Sequence, residues 1–312
     1  YEVTLDSEDG ISGVDSIEYY KTPNPVSQNT DMTGLNWRNL GISGEKAARS
    51  GNFSVSPDEQ FVVYEKITDY AGNITYIYPT NGAVADAAEP RITITEANAG
   101  AASNGIYNED VRLHISVEDP VNGGTYSGIE RIWYEVRSSG NVTNSLEREL
   151  ANNSDNRVQG YRTWSGDITI DAEQFNSNDV RVQVHAVDFS GNQYDSEVTE
   201  LKIDVTEPTI EVAYDLNSPL NDRYYNQTRT ATVTVTERNF DPSAVRFNIT
   251  NTDGTQPSIS GWSNSSNSGV SDSATHTCTV TFAADGDYTF TLNTTDLAGN
   301  DSNYTRVDEF TI

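Results

Sequence analysis

The sequence predicts an all-β protein, three tandem β-sandwich domains in an elongated array. Three observations lead there. A five-residue pattern, D-x-x-G-N, occurs as Asp69-Tyr70-Ala71-Gly72-Asn73, as Asp188-Phe189-Ser190-Gly191-Asn192 and as Asp296-Leu297-Ala298-Gly299-Asn300. Each copy follows an alternating run rich in Val, Tyr, Phe and Thr, the period-two signature of a strand with one buried face. No long stretch of the 312 residues shows helical periodicity. Three repeats leave about a hundred residues per unit, an ordinary size for a single sandwich.

The pattern itself reads as a hairpin turn. A second strand-like run starts after the Asn, as in Ile74-Thr75-Tyr76-Ile77-Tyr78. Gly72, Gly191 and Gly299 supply the positive φ of a bulged turn, and the Asp accepts N–H groups across the bend that Asn73, Asn192 and Asn300 close. A sharper reading gives these Asp and Asn side chains a share in holding calcium.

The other elements follow in order. Tyr1-Glu2-Val3-Thr4-Leu5 is the first strand, and the first unit lacks the opening strand that the other two possess. The form D-x-x-E-P occurs at Asp86-Ala87-Ala88-Glu89-Pro90 and at Asp204-Val205-Thr206-Glu207-Pro208, each time before an alternating run. Pro fixes the backbone and cannot extend a ladder, so these are short, stiff joints. They divide the chain into domains 1–88, 89–206 and 207–312. A second repeated element enters a strand through a tight turn: Ser12-Gly13-Val14 to Tyr19, Ser127-Gly128-Ile129 to Tyr134, and Phe240-Asp241-Pro242 to Phe247. Each unit then carries one isolated Trp, Trp37, Trp164 or Trp262, expected either to plug the sandwich or to stack on a sugar. Trp133 lies on the opposite strand face from Ile132 and Tyr134, so Trp133 and Trp262 are the candidate ligand-binding residues. Asp285-Gly286-Asp287-Tyr288 has the turn-then-Tyr arrangement of a tyrosine corner.

Composition narrows the function classes. A net charge of -28 repels nucleic acid and anionic lipid and attracts divalent cations. No apolar run is long enough to span a bilayer, so no membrane insertion is expected. The single Cys278 excludes an intrachain disulfide and is expected to be a buried, inert thiol. His114, His185 and His276 lie in separate units with no second ligand at metal spacing, and no nucleophile motif or phosphate loop is present. No catalytic residue is expected, and no cofactor is required. The chain opens and closes on strands and reads as a piece of something longer.

Taken together, the D-x-x-E-P joints, the S-G-[VI]-x-x-I-x-Y entries, the single Trp, the Asp285–Tyr288 corner and the three turns resemble the tandem immunoglobulin-like domains of Gram-positive surface proteins. The resemblance covers nearly the whole chain. It implies immunoglobulin-like sandwiches in a monomeric, extracellular or secreted bacterial protein, an adhesin stalk or ligand-binding region with a surface protein or glycan as partner. It equally fits the accessory, non-catalytic part of a large secreted carbohydrate-active enzyme or protease. Some such domains carry a Lys–Asn crosslink; the third unit has no Lys, and none is expected.

Calcium is the one ligand that the acids suit, since it takes six to eight oxygens from carboxylates and carbonyls. An acid ends the second strand of each unit, Asp6, Glu118 with Asp119, and Glu237, at an end that lies beside the loops of one pole, and the first unit adds Glu8 and Asp9. Asp204 and Glu207 add the acids of a joint. The alternative is that all are solvated loop acids.

Overall fold

The computed structural model describes residues 1–27, 29–138, 144–153, 161–264 and 274–312. Among them there is no α-helix, and the strands form six antiparallel sheets that succeed one another in pairs. Among the described residues no helix is long and apolar enough to cross a membrane.

In the first segment Glu2–Glu8, Ala48–Ser54 and Ile42–Glu45 form one sheet. Arg38–Asn39, Val14–Thr22, Glu59–Asp69 and Ile74–Ile77 form the other, with Ala83–Ala85 on the same long strand. In the second, Thr163–Ile170, Val111–Glu118 and Arg91–Glu96 face Asn144–Asn152, Ile129–Ser138, Ser177–Asp188 and Gln193–Asp195. In the third, Thr209–Tyr214, Arg229–Thr236 and Thr275–Phe282 face Arg246–Asn251, Asp287–Asn293 and Asp308–Thr311. Among the described residues no named strand pairs across residue 88 or 206. Glu2–Glu8 is an edge strand, whereas its counterparts are flanked by Arg91–Glu96 and Thr209–Tyr214.

Alternation does the work expected of it. Along Val111–Glu118 the odd positions Val111, Leu113, Ile115 and Val117 are buried and meet Ile132, Tyr134, Val182 and Val184 from the facing sheet. At roughly 1.5–3 kcal/mol for each large apolar side chain, such layers are what hold a sandwich closed. The third core is aromatic: Tyr288 stacks on Phe310 at 5.4 Å and Phe282 meets Phe310 edge-on at 5.0 Å. The Tyr288 hydroxyl donates to Ala284 O at 3.0 Å, which ties the strand to its preceding loop as the corner motif requires. Cys278 is buried in this core, and desolvation pushes its thiol up to about 11.

The first segment buries an acid beside its core. Glu65 sits opposite Tyr19, in the register that Val184 occupies opposite Tyr134. Its carboxylate is buried and accepts from Ser7 Oγ at 2.5 Å, and desolvation raises its pKa. Trp37 does not lie between the sheets. It packs with Tyr20, Val62, Tyr64 and Tyr76, in a cluster separate from the core of Val14, Ile17 and Tyr19, and donates Nε1–H to Met32 O at 2.8 Å. Val62 and Tyr64 alternate with Phe61, so they present the other face of their strand. Trp164 and Trp262 pack against the cores of their own segments.

Candidate metal centres at the two junctions

The three D-x-x-G-N turns share one backbone. Asp188 N donates to Asn192 O at 3.1 Å and Gly191 N to Asp188 O at 3.1 Å; the corresponding pairs are 3.1 and 3.0 Å at Asp69, and 3.0 and 3.3 Å at Asp296. The glycines have φ of +85° at Gly72, +87° at Gly191 and +97° at Gly299, which an L side chain adopts only at a cost. The carboxylate stitches the turn from inside. Asp188 Oδ1 accepts from Ser190 N and Asn192 N at 2.8 and 2.9 Å, and Oδ2 accepts from Asn192 Nδ2 at 2.7 Å. The next backbone amide, Phe189 N, donates to Gly128 O at 3.0 Å, so the turn leans on the S-G entry of the same segment.

The last residue of the pattern does something a hairpin turn does not need. Asn192 Nδ2 also donates to Asp86 O at 2.9 Å, and Asn300 Nδ2 to Asp204 O at 2.9 Å. The turn of each later segment therefore grips the D-x-x-E-P joint that precedes that segment. Each joint holds itself in place through an Asp-capped bend, with Ala88 N donating to Asp86 Oδ1 at 3.0 Å and Thr206 N to Asp204 Oδ1 at 3.1 Å.

Docking of joint on turn collects three acids at each junction. Asp86, Asp119 and Asp188 are each 0 % exposed, and each offers a carboxylate oxygen within 4.8 Å of the others. Asp204, Glu237 and Asp296 repeat the arrangement, at 0, 0 and 6 % exposure. Asp86 Oδ2 accepts from Ser127 N at 2.7 Å, and Asp119 Oδ2 from Gly128 N at 2.6 Å. Among the described residues Asp119 Oδ1 has no hydrogen-bond partner, and neither does Glu237 Oε2 at the second junction. Two unit charges at such a distance repel by about 3 kcal/mol at an effective dielectric of about 20. An orphaned, buried carboxylate oxygen inside a three-acid group is what a divalent cation would satisfy.

The acids register this environment. Desolvation, opposed by the Gly128 N–H and reinforced by Asp86 and Asp188, pushes the Asp119 carboxyl up to about 6. Burial raises Asp188 and Asp296 as well, against the hydrogen bonds of Asn192 and Asn300. Glu237 is raised by burial first and then by Asp204 and Asp296. Of the residues that the sequence singled out, Asp119, Asp188, Asp204, Glu237 and Asp296 lie in the two clusters.

Asp69 and Asp6 do not. Asp69 stays at the surface of the first segment, where Ser12 Oγ donates to it at 2.8 Å. Asp6 is exposed within Glu2–Glu8, because that strand runs two residues past it. The counterpart of Asp119 and Glu237 is Asp9: Asp9 N donates to Ala47 O as Asp119 N does to Arg162 O and Glu237 N to Ala274 O. Glu118 and Glu207 are exposed. Asp86 was missed as a ligand, although it holds the same place in D-x-x-E-P as Asp204; that shared place was the available signal.

The Trp candidates are engaged by protein. Trp133 stacks on His185 at 5.1 Å with the Arg131 guanidinium 4.7 Å from its ring, and Trp262 meets Phe240 edge-on at 4.9 Å and Phe247 at 6.4 Å. His185 in turn pairs with Asp195 at 2.7 Å.

No family model matches the chain, and no curated protein sequence matches it. Solved structures with some similarity include a DUF3823 family protein from Bacteroides ovatus, 11 % identical, covering 65 % of this chain and 99 % of that one with a TM-score of 0.24. A structure concerning host cell surface retention of a 1.5-MDa bacterial ice-binding adhesin is 14 % identical over 99 % of this chain and 90 % of that one, with a TM-score of 0.31. A marsupial T cell receptor is 10 % identical over 100 % and 94 %, with a TM-score of 0.27. At these scores the similarities carry no argument about function, ligand or partner.

Proposed function

We propose that this chain is a non-catalytic stretch of a bacterial surface protein, a tandem immunoglobulin-like array serving as stalk or ligand-binding region, whose segments are locked to one another by calcium. The observation that carries the reading is the buried three-acid cluster formed twice, at equivalent places, each time from a joint, the end of a strand and a D-x-x-G-N turn. Calcium suits the donors, which are all oxygen, and a flexible coordination shell suits acids drawn from separate loops. Bridging a joint to the next segment, the ion would neutralise the acids and resist bending there. An acidic surface, net charge -28, accords with an environment where calcium is plentiful and nucleic acid is not a partner.

Thermal unfolding of the whole chain tests this. Millimolar calcium should raise the melting temperature and excess chelator should reverse the rise, while magnesium, which dehydrates reluctantly, does much less. Identical melting curves with calcium and with chelator would remove the cation from the account.

A further inference from the structure

The two junctions gather three acids at equivalent places but differ in charge, and we propose that only the first is a calcium-dependent hinge, the second being held shut by the guanidinium of Arg238. This rests on the reading of both acid clusters as cation sites. At the first junction the residue after Asp119 is Pro120, and among the described residues no Lys or Arg pairs with Asp86, Asp119 or Asp188. The bonds that cross it are neutral donors on acids or carbonyls: Ser127 N and Asn192 Nδ2 to Asp86, and Asn122 Nδ2 to Asp58 Oδ2 at 2.7 Å. Among the described residues three carboxylates face one another there with no Lys or Arg beside them.

At the second junction the residue after Glu237 is Arg238, with a side chain 4 % exposed. Its Nη2 lies 2.9 Å from Asp204 Oδ1 and donates to Asn176 Oδ1 at 2.6 Å and Ile203 O at 3.1 Å. Its Nη1 donates to Asn176 O at 3.3 Å. Asn239 adds a reciprocal amide pair with Asn178, at 2.7 and 3.1 Å, and donates to Asp204 Oδ2. Both oxygens of Asp204 are thus held by side chains of the third segment. A buried, multiply hydrogen-bonded guanidinium is a cation tethered in place and needs no recruitment from solution. It cuts the cluster from three net negative charges to two, and an incoming divalent ion feels it as a like charge at short range. The second junction is therefore closed without metal and binds calcium at least about tenfold more weakly than the first.

Calorimetric titration of calcium into the whole, chelator-stripped chain decides it. The wild type should show a tight phase and a second phase about tenfold or more weaker, or no second phase at all. Asp119→Asn should delete the tight phase; Glu237→Gln should leave it intact. Arg238→Gln, which removes the charge and shortens the side chain while keeping a polar amide, should bring the second phase up by about tenfold or more and leave the first unmoved. Two equal affinities, a tight phase lost with Glu237→Gln, or a second phase indifferent to Arg238→Gln in a folded variant would overturn the inference while leaving calcium binding itself standing. Absence of any calcium heat in the wild type would instead overturn the cation reading on which it rests. If Arg238→Gln does not melt cooperatively, the order of Asp119→Asn against Glu237→Gln settles the question alone.

Discussion

The turn at Asp69 and the turn at Asp188 have the same pattern, the same backbone hydrogen bonds and glycine φ of +85° and +87°, yet their acids lie on opposite sides of the ordinary carboxylate range. Asp69 accepts from the Asn73 amide and the Ser12 hydroxyl in the open, and these donors hold it down at about 2. Asp188 accepts the same donors from Asn192, but a joint has docked over it, and burial together with Asp86 raises it instead. Five residues determine the turn; what covers them determines the chemistry. The third copy, Asp296 beneath Asp204, sides with the second for the same reason.

Breaking the comparison at its strongest point means removing one covered acid. In saturating calcium, Asp119→Asn should cost the whole metal increment of the first junction, about 3–4 kcal/mol at calcium a few hundredfold above its dissociation constant. In chelator the sign should invert, with a gain of about 1–2 kcal/mol, since a buried carboxylate raised to about 6 is a burden when no cation answers it. Asp69→Asn, at the open turn, should leave the calcium dependence untouched. Paired melting curves in calcium and in chelator measure all three.

Next in size is pH. In chelator, Asp119 and Asp188 bind protons more tightly folded than unfolded, so their contribution is fully present below the unfolded carboxylate pKa and is lost as pH rises through about 6 for Asp119. Stability should fall by on the order of 2 kcal/mol between pH 4 and pH 7, and calcium should abolish the fall. Asp69 behaves oppositely: its contribution is present above the unfolded value and disappears as pH drops through about 2. Denaturant titrations from about pH 2 to about pH 7, with and without calcium, read both signs.

A smaller effect isolates the turn. A Cβ at Gly72 or Gly191 meets nothing within 4 Å, so an alanine suffers only the positive φ. Gly72→Ala and Gly191→Ala should each cost about 1–2 kcal/mol, equally, in calcium and in chelator alike. A larger cost at Gly191 that appears only with calcium would tie the glycine to the cation rather than to the bend. Smallest is Glu65→Val, which places the second segment's residue into the first segment's core and should stabilise it by about 1 kcal/mol, more at neutral than at acid pH.

The fold was legible because alternation and turn chemistry are local. Val111 to Val117 show their buried face in the sequence, and Gly191 shows its φ requirement. The candidate site was legible only in parts. Asp119, Asp188, Asp204, Glu237 and Asp296 could be picked out as acids at strand ends, turns and joints, but the assembly depends on which joint packs on which turn, a contact between residues as far apart in sequence as Asp204 and Asp296. Asp6 ends the run that alternation marks, but the strand continues two residues further, so Asp9 takes the place of Asp119 and Glu237. Arg238 gave no signal, since nothing in Glu237-Arg238-Asn239 says that the guanidinium turns inward to Asn176. Trp37, expected between the sheets, packs on the far face because Val62 and Tyr64 make that face apolar too.

The most direct test of the central claim is a crystal of the whole chain grown in calcium, with anomalous data. An anomalous peak enclosed by Asp86, Asp119 and Asp188 is expected, with Asp119 Oδ1 at about 2.3–2.6 Å from it. A cluster holding only water, or an Asp119 side chain turned away to solvent, would contradict it.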